Sequence, residues 1–136
     1  MSFELRSHTA DVAVAAEADT LAGVFDAVAT GLAAATADDP PEHRDTFELA
    51  LSATDVEGLL YDFLDQLIFE RDVRDVLPVS TNSDITTSTD GYELTSTVGC
   101  VPLAVVSGRE IKAVTYADMR VEQTDNGWSA YVVFDV

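Results

Sequence analysis

Two polar groups interrupt runs that otherwise read as apolar strands. His8-Thr9-Ala10-Asp11 leads straight into Val12-Ala13-Val14, and Asp135 closes Tyr131-Val132-Val133-Phe134. A carboxylate at the end of a buried strand is costly unless it is paired, hydrogen-bonded or bound to a cation. The sequence stops at Val136, so a main-chain α-carboxylate is expected one residue after the Asp135 side chain. If Asp11 came from a neighbouring strand, three carboxylates would face one point. Such oxygen donors suit Ca²⁺ or Mg²⁺, whereas Zn²⁺ prefers His and Cys. The plainer alternative is that Asp11 caps a turn and the terminus frays. His8 is open between a hydrogen-bonded structural histidine and an acid–base pair with Asp11 of the kind a hydrolase would use.

Other signatures are missing. There is no phosphate-binding glycine loop, dinucleotide fingerprint, paired-cysteine metal spacing, nucleophile elbow or EF-hand loop. The single cysteine, Cys100, cannot close an internal disulfide, and its neighbours Val98 and Val101 predict a buried thiol. Asp55, Glu57, Asp62, Asp65 and Glu70 lie mostly off the apolar stripe of one helix and are read as its solvated face, with no site assigned to them.

The elements that must carry these residues follow from periodicity. Phe3 and Leu5, then Val12, Val14 and Ala16, alternate as one or two strands, which puts the His8–Asp11 tetrapeptide at an element boundary. Asp19-Thr20 is an N-cap for a first helix through Leu21, Val24, Phe25, Val28 and Leu32, stopped by Asp38-Asp39-Pro40-Pro41. Phe47, Leu49 and Leu51 form a strand. Capping-box spacing from Thr54 to Glu57 opens a second helix through Leu59, Leu60, Phe63, Leu64, Leu67 and Ile68 to about Glu70. Asp90-Gly91 and Asn126-Gly127 predict hairpin turns, the first expected at a sheet edge, and residues 99–110 read as a loop holding a short apolar strand. The last strand is apolar on both faces and should be central. No repeat with a period of 20–50 residues is visible.

With 136 residues, one domain spanning 1–136 is expected. Its 25 acidic residues against 7 Lys and Arg give a net charge of −18. The cations Arg6, Arg44, Arg71, Arg74, Arg109, Lys112 and Arg120 are scattered, so no strong direct nucleic-acid grip and no docking on an anionic membrane is expected. A hydrophobic content of 47% is enough to fold the chain. No run approaches the roughly 18 apolar residues of a membrane span, and the first residues do not form a leader, so the expected location is the cytoplasm. One lysine and many aspartates spread along the whole chain match a halophilic surface, where molar salt screens charge within about 3 Å.

Four segments in order carry a resemblance across nearly the whole chain: His8-Thr9-Ala10-Asp11-Val12 with Asp19-Thr20-Leu21, Gly58 to Leu64, Glu110 to Tyr116, and the terminal Phe134-Asp135-Val136. Together they resemble the archease family. The resemblance implies an α+β protein, two amphipathic helices packed on a mostly antiparallel sheet in two layers. It also implies an accessory factor, itself no enzyme, that activates the tRNA-splicing RNA ligase joining 3′-phosphate or 2′,3′-cyclic-phosphate ends to 5′-hydroxyl ends. Archeases promote guanylylation of that ligase and its multiple turnover, and the GTP and Mn²⁺ chemistry is the ligase's. The family's metal ligands map onto Asp11, Asp135 and Val136, with Ca²⁺ expected and Mg²⁺ or Mn²⁺ as alternatives. His8, Lys112 and Tyr116 are expected near the site. A chaperone-like binding module without a functional metal site is the competing reading, and a His8/Asp11 hydrolase a weaker one, since nucleophile and phosphate cradle are missing.

Overall fold

The computed structural model describes residues 2–8, 11–106 and 108–136, with the side chains of residues 6–8 outside that description. The chain runs β1 (Ser2–His8), β2 (Asp11–Ala18), α1 (Leu21–Thr36), β3 (Asp45–Ala53), α2 (Val56–Arg74), β4 (Val76–Ser88), β5 (Gly91–Pro102), a short 3₁₀ turn (Leu103–Val105), β6 (Ala113–Thr124) and β7 (Gly127–Asp135). The α+β expectation is met, but the strands divide into two antiparallel sheets, ordered β1-β2-β7-β6 and β3-β5-β4. β7 is central, as its two apolar faces predicted. Of the β4–β5 hairpin, only β4 lies at an edge.

Both helices turn their apolar stripes inward. Phe25, Phe63, Leu59, Leu60, Leu64 and Leu67 are almost completely buried against Val14 and Phe134, and the rings of Phe25 and Phe63 lie 6.0 Å apart. Each such side chain contributes about 1.5–3 kcal/mol through removal from water. No helix among the described residues is long and apolar enough to cross a membrane.

The structure contains a repetition that the sequence reading missed. β2, α1, β6 and β7 form one unit, and β3, α2, β4 and β5 form a second, inserted between α1 and β6. In each unit the strand before the helix pairs with the last strand of a hairpin: Ala18 faces Trp128 and Ala53 faces Tyr92. Each helix starts with a side-chain cap three residues ahead of a glycine, Thr20 to Gly23 and Asp55 to Gly58. Each helix packs on its own unit and also reaches the hairpin of the other. Asp26 of α1 is hydrogen-bonded to Thr81 and Ser83 of β4, and Tyr61 of α2 stacks on Tyr116 of β6. Insertion of one unit inside the other removes any fixed period, which is why the repeat is invisible along the chain.

Other departures are local. α2 is capped by Asp55, not Thr54, and runs to Arg74, ending at Asp75 in the left-handed region (φ 54°). The two-residue hairpin loops are Thr89-Asp90 and Asp125-Asn126, one position earlier than predicted, because Gly91 and Gly127 already pair with Ser88 and Thr124. Those glycines have φ of +132° and +155°, and a Cβ on either would come within 2.3 Å of the carbonyl oxygen of Ala53 or Ala18. Residues 99–102 continue β5 where a loop was predicted, because Gly99 and Cys100 are paired on both sides, by β3 and β4, and Val101 and Pro102 by β4. Cys100 is buried as expected.

Candidate carboxylate site at the strand ends

The β-ladders place the sequence-selected residues in one row. His8 faces Asp11, Asp11 faces Asp135, and Asp135 faces Ala113, so the row crosses all four strands of the first sheet. Thr9 and Ala10, the middle of the tetrapeptide, lie outside the described residues, as does the His8 side chain. Residues directly opposite in an antiparallel pair project to the same face with Cβ atoms about 4.5–5.5 Å apart, and like charges so placed repel. Asp11 is half-buried and Asp135 exposed, with Val136 next to it at the rim. Two facing carboxylates make a donor set of oxygens only, which fits a hard divalent cation. Among the described residues no three His, Cys, Asp or Glu side chains converge.

Lys112 belongs to this end through its backbone: its amide donates to the Asp135 carbonyl at 2.8 Å, while its side chain is exposed. The segment leading to it is fastened to both helices. The Arg109 amide donates to Thr36 and its guanidinium to Ala35, holding the last carbonyls of α1, and the guanidinium of Arg71 donates to the Ile111 carbonyl at 2.6 Å. Arg71 is 6% exposed and was assigned no role from sequence. Its signal was legible: it stands seven, four and three residues after Leu64, Leu67 and Ile68, on the apolar stripe of α2.

Tyr116 sits away from the carboxylate row. It alternates in phase with buried Val114, so it faces α2, where its ring lies parallel to that of Tyr61 (4.1 Å between centroids, 5° between planes). Its phenol is pushed above the ordinary value, first by desolvation and then by the charge of Asp62, with Tyr61 and Asp55 adding to it. Beyond Thr115 the β6–β7 ladder breaks until Arg120, with Asp118 in the left-handed region (φ 55°).

Comparison with known proteins finds related chains that span nearly its whole length. The archease protein family model matches residues 3–136. Protein archease of Thermococcus gammatolerans is 33% identical, covering 98% of both chains, and that of Methanosarcina acetivorans is 30% identical, covering 98% of this chain and 95% of the relative. A Methanobacterium thermoautotrophicum protein solved in solution superposes with a TM-score of 0.81 at 28% identity, covering 98% of both chains. A Thermotoga maritima archease, described as a possible chaperone, shares the fold with a TM-score of 0.65 at 20% identity, covering 96% and 94% of the two chains.

Proposed function

Because the chain belongs to the archease family, we propose that it is a protein cofactor of a cytoplasmic tRNA-splicing RNA ligase, acting through a divalent cation held by Asp11, Asp135 and the main-chain carboxylate of Val136. The observation that carries this reading is the direct pairing of Asp11 with Asp135, since two facing carboxylates call for a cation between them. Ca²⁺ is the expected ion, with Mg²⁺ or Mn²⁺ as alternatives. Bound there, such an ion would supply positive charge toward phosphate oxygens. The chain's own part is to hold that charge at an exposed rim. The β2–β7 ladder fixes the aspartates, and the Lys112 amide, bound to the Asp135 carbonyl, fixes the strand end. GTP and Mn²⁺ remain the ligase's reactants, and the net charge of −18 leaves RNA to the ligase.

A chaperone-like module without a metal role has one observation in its favour, the exposed pair Phe69 and Val73 one turn apart on α2. Calorimetric cation titration and ligation by limiting ligase with GTP separate the two. The cofactor reading expects Asp11→Asn and Asp135→Asn each to lose cation affinity and stimulation while the protein stays folded. A folded Asp11→Asn protein that stimulates fully would overturn it.

A further inference from the structure

The Tyr61–Tyr116 stack is a surface feature as well as a packing contact. Tyr61 is half-buried, but Tyr116 is 58% exposed, so one ring of the stack is seated on α2 and the other is open to solvent. The interrupted ladder after Thr115 brings it there, and bulges of this kind re-aim side chains and concentrate beside functional sites. The carboxylates of Asp62, next to Tyr61 on α2, and of Asp55 at the helix cap are near enough for their charge to reach the phenol. An open aromatic face next to carboxylates is complementary to a planar cation, which can stack on the ring and pair with an oxygen at the same time.

The fold already uses this pairing elsewhere. Arg74 lies over Phe47 at 4.4 Å and Arg120 over Tyr131 at 5.3 Å, whereas among the described residues no cation is stacked on Tyr116. We propose that the exposed Tyr116 ring and Asp62 form a docking point for an arginine side chain carried by a basic loop of a protein partner. Arginine is specified over lysine because only the guanidinium combines a flat stacking face with a fork of donors. A nucleic-acid base could stack on the ring, but its phosphate would then lie against Asp62 and Asp55 in a chain of net charge −18. The proposal shares with the ligase reading only the premise of a protein partner. It needs neither the cation nor the carboxylate row.

The test uses the full chain with no ligase and no added metal, so its failure leaves the cation reading standing. Amide resonances are followed by NMR while an oligo-arginine peptide, and separately an oligo-lysine peptide of equal length, is titrated at one salt concentration. The arginine peptide should shift Tyr61, Asp62 and Tyr116 and bind about two- to five-fold tighter than the lysine peptide, the range of an exposed cation–π contact. Tyr116→Leu should erase that preference, Asp62→Asn should weaken arginine binding, and Tyr116→Phe should keep the preference. Asp62 is exposed on its helix, so its variant stays folded even if the Leu variant does not. Equal affinity for the two peptides, shifts spread evenly over the acidic surface, or a preference surviving in Tyr116→Leu would each refute the proposal. So would a single-stranded oligonucleotide that perturbs the same residues more strongly than the arginine peptide.

Discussion

The guanidinium of Arg71 donates to the main-chain carbonyl of Ile111, forty residues further along the chain, and both residues are buried. The bond ties α2 to the two residues that precede β6, and so to the end of the carboxylate row. Replacing Arg71 by Met keeps much of the apolar stem but leaves the Ile111 carbonyl without its donor. The expected loss is about 2–3 kcal/mol, read from the denaturant midpoint with the slope unchanged. Arg71→Lys should recover part of it.

Asp26 fastens α1 to β4 of the other unit. Its carboxylate accepts from the Thr81 hydroxyl at 2.6 Å and from both the amide and the hydroxyl of Ser83 at 3.1 and 2.6 Å, and Ser83 passes a bond on to Ser96. Asp26→Ala takes the acceptor from the half-buried Thr81 hydroxyl and the Ser83 amide and should cost about 1–3 kcal/mol. Asp26→Asn should cost less, since one oxygen still accepts and a hydroxyl can turn to receive the new amide. Thermal unfolding of the two variants checks the order.

Gly127 opens β7 with φ at +155°, and a side chain there would press on the Ala18 carbonyl. Gly127→Ala should destabilise by about 1–3 kcal/mol. The equivalent Gly91→Ala should do the same in the second unit, because the contact with Ala53 repeats the geometry. A neutral result at either position in a chemical-denaturation series would contradict the repeat's shared turn.

Burial raises the Cys100 thiol above its ordinary value of 9.0, Asp45 raises it further and Arg74 acts in the opposite sense. The folded state therefore holds its proton to higher pH than the unfolded state. Stability is unaffected by this group below pH 9.0 and falls as pH rises from there through the raised folded value. Cys100→Ala should flatten that alkaline slope in unfolding measured between neutral and alkaline pH, and the native thiol should react slowly with alkylating reagents.

Much of the fold was readable before any coordinates. Alternation in Phe47-Leu49-Leu51, the helical stripe from Leu59 to Ile68 and the two Gly-containing turns depend on near neighbours, where period and propensity act directly. The candidate site was readable in part. Asp11 and Asp135 stood out because each carboxylate sits at the end of an apolar run. Lys112 and Tyr116 come from one segment, yet Lys112 joins the row by its amide while the Tyr116 ring stacks on α2, a difference set by which strand and which helix pack against the segment.

The sequence alone determined most of the elements, the acidic composition and which strand-end carboxylates stand out as candidates, because burial pattern, charge and capping are local properties. Tertiary structure decided the rest. It chose two sheets in place of one, nested one β-α-β-β unit inside another, packed each helix against strands of both units and set Asp11 against Asp135 across 124 positions. Those outcomes depend on which strand pairs with which. A strand's apolar pattern says that it needs a partner, but many partners satisfy it, and only the packing of the whole core against both helices selects one register.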